Sequence, residues 1–141
     1  MKLSTRSRYG TRALIEIARN YNRGPTKRKD IARTQGISEG YLESILSSLR
    51  AQHVVRTVRG SNGGFALERR PDKVTLLEIV RALEGGTAPI ECVETPDICD
   101  RSADCAAREA WKRLHEAQNE TLRGMTLQDL VTMGSDPMYT I

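Results

Sequence analysis

Residues 35–50 read QGISEGYLESILSSLR, and this stretch decides the fold. Gly36 stops what precedes it, and Ser38 is a residue type that caps a helix by accepting a backbone N–H. Tyr41, Leu42, Ile45, Leu46 and Leu49 then form one apolar stripe at helical spacing, opposite Glu39, Gly40, Glu43, Ser44, Ser47 and Ser48. A well-capped helix with a small, polar face, reached through a tight turn, has the form of the major-groove reader of a helix-turn-helix. A solvated surface helix has the same pattern, so this segment alone leaves both readings open.

The flanking sequence separates them. Upstream, Tyr9, Ala13, Ile17 and Ala18 predict a helix over residues 5–21, capped by Ser4 or Thr5 and broken at Gly24-Pro25, and a short helix spans residues 29–35. Downstream, residues 54–59 are β-branched and alternating, residues 60–64 form a glycine-rich turn, and residues 65–67 return as a strand. This hairpin is a wing. Arg59 stands near its tip among glycines that permit close backbone approach, a narrow minor groove attracts such an Arg, and Asn62 is able to take a left-handed turn conformation. Charge points the same way: residues 1–81 carry 17 basic and 7 acidic side chains, net +10, and residues 82–141 carry 5 and 11, net −6. A basic half beside a helix-turn-helix and wing selects a nucleic-acid partner.

Beyond the wing, Thr75-Leu76-Leu77-Glu78 is a capping box that opens a helix through Leu83, ended by Gly85-Gly86. Residues 87–104 read as an acidic, proline-containing loop that holds Cys92, Cys99, Glu91, Glu94, Asp97, Asp100 and Asp104. A helix of about 19 residues follows over 105–123, roughly 28 Å long. Its Ala107, Trp111, Leu114, Gln118 and Thr121 fall at 4-3-4-3 spacing, a seam suited to pairing with a copy of itself. Packing onto the same chain is the alternative, and Gln118 and Thr121 weaken the seam. Dimerisation is favoured because one helix-turn-helix reads one half-site. Thr126-Leu127-Gln128-Asp129 opens a last short helix. The expected fold is mainly α: a winged helix-turn-helix with a two-stranded β wing over 1–86, a cysteine loop over 87–104, a dimerisation helix with a short helix after it over 105–131, and a flexible tail over 132–141.

Several classes are excluded. No run approaches the ~18–20 apolar residues of a membrane span, and Met1-Lys2-Leu3-Ser4 leads into Arg6 and Arg8 without the apolar stretch of a secretory signal, so a cytoplasmic chain without a membrane partner is expected. Three cysteines, an odd number, argue against a disulfide framework in a reducing compartment. Their Cys-x6-Cys-x5-Cys spacing, in an acidic loop, leaves core filling, structural zinc, a metal-free thiol switch and an iron-sulfur cluster open, with the cluster favoured. His53 and His115 lack the partners of a catalytic triad, and residues 60–64 lack the Lys and following helix of a phosphate loop. Neither an enzyme nor an organic small-molecule substrate is expected.

Leu3-Ser4-Thr5 and Tyr9-Gly10, Ile37-Ser38 with Tyr41-Leu42-Glu43, Val58-Arg59-Gly60 with Gly63-Gly64-Phe65, the three cysteines, and Thr126-Leu127 with Asp129-Leu130 together form a specific set. Over residues 1–131 the chain resembles the Rrf2 family of winged-helix transcription regulators, the IscR-, NsrR- and RirA-like proteins. The resemblance implies a homodimeric regulator, usually a repressor, whose affinity for double-stranded operator DNA changes when a bound iron-sulfur cluster is lost, oxidised or nitrosylated. By position, it places Ser38, Tyr41, Glu43 and Ser44 toward the major groove, Arg59 toward the minor groove, and Cys92, Cys99 and Cys105 on the cluster.

Three departures stand out. Arg108, which has no lone pair, stands where one branch has a ligating His. Residues 5–8 hold no carboxylate of the kind the nitric-oxide branch takes from its partner's first helix, and the six-residue first spacer lies between the branch patterns. The fourth ligand is thus a loop carboxylate, a small exogenous ligand or none, and an incomplete protein set favours a labile four-iron four-sulfur cluster over a two-iron one. The rival readings are a zinc-bound or metal-free thiol-switch DNA regulator, and a cluster carrier or enzyme that does not bind DNA.

Overall fold

The computed structural model describes residues 2–135. The chain is mainly helical with one two-stranded antiparallel sheet: α1 (Thr5–Arg19), α2 (Arg28–Gln35), α3 (Glu39–Ala51), β1 (Val55–Val58), β2 (Gly64–Leu67), α4 (Leu76–Glu84), α5 (Glu91–Glu94), α6 (Ala106–Arg123) and α7 (Leu127–Met133). Single 3-10 turns lie at Pro71–Lys73 and Pro96–Ile98. The architecture is the winged helix-turn-helix expected from the sequence.

The helix boundaries follow from local chemistry. Ser4 caps α1 by accepting from Ser7 N–H (3.2 Å), and Ser38 caps α3 by accepting from Tyr41 N–H (3.1 Å). Gly36 (φ 65°) and Gly85 (φ 82°) end α2 and α4 in the left-handed conformation that glycine adopts without strain. Helix α1 stops at Arg19, two residues before the predicted end, and Asn20 at its C-cap turns its amide to Thr26 Oγ1 (3.0 Å). One core unites Leu14 and Ile17 of α1, Ile31 of α2, Leu42, Ile45, Leu46 and Leu49 of α3, Val55, Phe65 and Leu67 of the wing, Ile79 of α4 and Leu127 of α7. Each fully buried aliphatic contributes about 1.5–3 kcal/mol, so the apolar stripe of α3 anchors that helix and leaves its polar face outward.

Four features depart from the sequence reading. First, the short last helix, α7, has a packing partner that the sequence reading does not assign. Leu76 N–H donates to Met125 O (2.9 Å) and Leu127 N–H to Val74 O (2.8 Å), a bridge that returns α7 to pack on α1. Second, residues 87–104 are not a bare loop, since α5 and a 3-10 turn lie within them, although no residue from 88 to 105 is buried. Third, Asn62 does not take a left-handed conformation: Gly60 (φ 113°) does so in the turn, and His53 (φ 57°) is the non-glycine residue with positive φ among the described residues. Fourth, α7 extends through Met133, past the expected start of the tail; residues 136–141 of that tail lie outside the described residues.

The N-terminus of α1 is tied to the C-terminus of α4. Glu84 Oε1 accepts from Ser4 N–H (2.9 Å), Ser4 Oγ (2.7 Å) and the Ser7 hydroxyl. Partial burial pushes the Glu84 carboxyl up, but the bonds from Ser7 and Ser4 outweigh it and hold it below its ordinary 4.5. Glu84→Gln is expected to lower stability by about 1–2 kcal/mol near pH 7. Because the folded pKa is depressed, this contribution is present above the unfolded-state pKa and lost as pH falls through the folded one. Chemical denaturation of both proteins from pH 7 down to pH 3 is expected to show the gap closing in acid.

Candidate nucleic-acid interface and cysteine segment

The outward face of α3 is not a row of idle side chains. Ser38 is exposed and capping, and Ser44 is exposed on the same helix. Tyr41 is half-buried, its ring edge-on to Tyr9 (centroids 6.3 Å apart, planes at 83°), and the Arg8 and Arg12 guanidiniums lie 5.3 and 5.7 Å from the Tyr9 centroid. Glu43 is half-buried between Arg28 (3.2 Å) and Arg50 (3.8 Å), and Arg28 also reaches Glu39 (3.1 Å). These bonds raise the Arg28 pKa, chiefly through Glu43 and then Glu39. Arg6 of α1 lies across the helix, donating to Ser44 Oγ (3.0 Å), Ser44 O (2.7 Å) and Ser48 Oγ (2.6 Å). Sequence periodicity gave no sign of Arg6, Arg28 or Arg50 at this face, because it reports on one helix at a time.

In the wing, Val55 pairs with Leu67 and Val58 with Gly64, which leaves Arg59 exposed at the start of the turn without a hydrogen bond or ion pair among the described residues. The wing is braced from outside the hairpin. Thr26 and Phe65 exchange backbone hydrogen bonds in both directions at 2.8 Å, and a Cβ at Gly64 would collide with the Thr26 carbonyl. Reading helix and wing are thereby held on one frame, with an unpartnered Arg beyond it.

The cysteines sit differently. All three are free; Cys99 is exposed, Cys92 on α5 and Cys105 at the N-cap of α6 are half-buried, and Cys105 Sγ accepts from Arg108 N–H (3.4 Å). Arg108 Nε donates to Cys92 O (2.7 Å), so the side chain in the expected ligand position fastens α5 to α6 instead. Among the described residues, no three His, Cys, Asp or Glu side chains gather closely enough to hold a metal, so the thiols are not preassembled and no loop carboxylate joins them. Glu94 turns instead to His115 Nε2 (3.4 Å).

Behind this segment runs a chain of polar contacts. Thr87 Oγ1 donates to Asn119 Oδ1 (2.8 Å), Asn119 Nδ2 lies 3.1 Å from His115 Nε2, and Gln118 Nε2 donates to the Thr87 carbonyl (3.0 Å). His115 Nδ1 is buried without a partner among the described residues. Helix α6 therefore turns Arg108, His115 and Asn119 toward its own chain and closes with Leu122 packed on Leu77 and Val80 of α4. Of the predicted seam, Trp111 and Leu114 are 42% and 48% exposed, while Gln118 bonds to Thr87 and Thr121 donates to the Ala117 carbonyl (2.9 Å).

Comparison with known proteins agrees with this architecture. A family model described as Rrf2, iron-dependent transcriptional regulator, matches residues 3–133. The chain is 41% identical over 132 residues to the HTH-type transcriptional regulator CymR of Bacillus subtilis, covering 94% of this chain and 91% of that one. It is 30% identical over 131 residues to the HTH-type transcriptional regulator IscR of Erwinia tasmaniensis, covering 93% and 79%. The solved structure of the B. subtilis CymR, titled the global cysteine regulator of that organism, superposes with a TM-score of 0.79 at 40% identity, covering 96% of this chain and 99% of that one.

The polar chain behind the cysteines is testable by itself. Asn119→Ala strips partners from the Thr87 hydroxyl and His115 and is expected to cost about 1–3 kcal/mol. Amide hydrogen exchange is expected to quicken across residues 87–104 while the core amides of α3 keep their protection; equal acceleration in both would show that the chain serves the whole fold.

Proposed function

The chain belongs to the Rrf2 family of transcriptional regulators, and on that premise we propose a homodimeric cytoplasmic repressor that reads double-stranded operator DNA and senses iron, redox state or nitric oxide through an iron-sulfur cluster. It is a transcription regulator and not an enzyme. Among the described residues no helix is long and apolar enough to cross a membrane. The observation that carries the DNA reading is the pairing of the exposed polar face of α3 with the unpartnered Arg59 of the wing, both within the half of net charge +10. Ser38, Tyr41, Glu43 and Ser44 are the proposed major-groove contacts and Arg59 the minor-groove contact. The uncovered Trp111 and Leu114 support the pairing of α6 with a second copy, which would present two half-sites.

The cysteine segment suits a cluster by its donor chemistry. Three unpaired thiols lie on a stretch with no buried residue, and thiolates are the donors that hold an iron-sulfur cluster. Cys92, Cys99 and Cys105 would hold it, and Arg108 in place of a ligating His leaves the protein set incomplete, which favours the four-iron form with an exogenous ligand or an open site. Such a cluster supplies chemistry that oxygen or nitric oxide alters. The protein's part is mechanical: Arg108 links α5 to α6, Asn119 and Gln118 link α6 to Thr87, and Leu122 links it to α4, which packs on α1 and α3. A change in the segment is thereby passed to the reading helix, and a coupling of about 1–3 kcal/mol would change affinity roughly 5- to 150-fold.

Anaerobically expressed protein is expected to carry about four irons and four sulfides per chain, and to bind operator DNA with an affinity that falls linearly in log–log against salt. Two irons and two sulfides would assign the two-iron form. A colourless preparation without acid-labile sulfide would assign the thiol or zinc reading instead. Cys92→Ala, Cys99→Ala and Cys105→Ala are each expected to be colourless, dimeric and unresponsive, and Arg59→Ala to weaken DNA binding roughly tenfold.

A further inference from the structure

Arg6 and the reading helix meet across 38 residues of sequence, and the contact is specific in which atoms it uses. One guanidinium donates to the hydroxyl oxygens of Ser44 and Ser48 and to the Ser44 carbonyl. Elsewhere in the molecule helical hydroxyls behave otherwise: those of Thr34, Thr121 and Thr132 donate to the carbonyl four residues back (2.9, 2.9 and 3.0 Å), which consumes their one hydrogen. Ser44 and Ser48 are acceptors toward Arg6, and among the described residues neither hydroxyl donates a bond of its own, so their hydrogens remain available.

A serine hydroxyl has one hydrogen to give and two lone pairs, and by itself reads donor and acceptor edges alike. With a cationic donor on one lone pair, the O–H is polarised and a second incoming donor is repelled. Arg6 is itself well placed for this, because Ser4 and Ser7 on either side of it are fastened to Glu84 and the first turn of α1 is fixed. In the major groove, acceptors are N7 and O6 of guanine, N7 of adenine and O4 of thymine, while cytosine presents its amino group as a donor. We propose that Arg6 is a specificity-determining positioning residue: by holding Ser44 and Ser48 as donors, it makes this face of α3 select acceptor edges over the amino group of cytosine. The proposal rests on the DNA-reading function given above.

The test uses the full chain and a randomised duplex library, with bound sequences read out for wild type, Arg6→Lys, Arg6→Ala, Ser44→Ala, Ser48→Ala and the Arg6→Lys/Ser44→Ala double variant. The wild type is expected to enrich a motif. Arg6→Lys, which keeps the charge but loses the fork, is expected to relax the same positions as Ser44→Ala or Ser48→Ala, by about tenfold each, and the double variant to relax the Ser44 position no further than either single change. A wild-type motif retained by Arg6→Lys overturns the proposal. So does an Arg6→Ala variant that keeps the wild-type motif but binds all duplexes more weakly, with a salt slope smaller by about one, which makes Arg6 a phosphate clamp. If Arg6→Lys fails to fold on thermal unfolding, the serine variants decide: an unchanged motif in both overturns the proposal. A wild type that enriches nothing overturns the DNA-reading function itself.

Discussion

At Gly10 the backbone of α1 lies so close to its neighbours that a Cβ there would stand 2.5 Å from Leu83 Cδ1 and 3.1 Å from Ile45 Cγ2. Leu83 belongs to α4 and Ile45 to α3, so one missing side chain lets three helices share a single line of contact. The polar tie of Glu84 to Ser4 and Ser7 closes the same junction one turn away. With α1 pinned on both counts, the residues it projects, Arg6 and Tyr9, reach α3 at fixed places. The orientation of the reading helix is a property of α1 as much as of α3.

Local chemistry made much of this legible in the sequence. Caps at Ser4, Ser38 and Thr75, stops at Gly36 and Gly85, the apolar stripe of α3 and the alternation of the wing strands each depend on neighbours within a few residues, and all appear where expected. What escaped the sequence was made by distant contacts. The brace from Thr26 to Phe65, the return of α7 through Val74 and Met125, and the Arg6 contacts join segments whose proximity no periodicity encodes. The seam of α6 illustrates the limit. A 4-3-4-3 spacing marks one face of a helix without saying how far along it the face stays open, and Gln118 lies where the chain turns to its own Thr87.

Helix α6 also inverts the usual amphipathic arrangement. Much of its inward face is Arg108, His115 and Asn119, and its exposed face carries the largest aromatic of the chain. A helix held inward by hydrogen bonds gains only about 0.5–1.5 kcal/mol from each, far less than a packed aliphatic face supplies. The cysteine segment attached to it has no buried residue of its own, and segments with few buried contacts are the ones whose conformation a small free energy shifts.

The arginines around the reading helix carry one more consequence. Arg28 is already bonded to Glu39 and Glu43, and Arg50 lies near Glu43. These carboxylates act as counterions supplied by the protein itself. On the proposed DNA-reading function, a phosphate approaching either guanidinium would displace a glutamate rather than a dissolved anion, so part of the exchange that normally releases ions into solution would stay within the chain. Random duplex, which offers phosphates but few matching base edges, would gain little from that exchange; a cognate site, which would also engage the freed face of α3, would gain more. On that proposed function, Glu39 and Glu43 beside these arginines would work as a filter that trades total affinity for the ratio between right and wrong sequences.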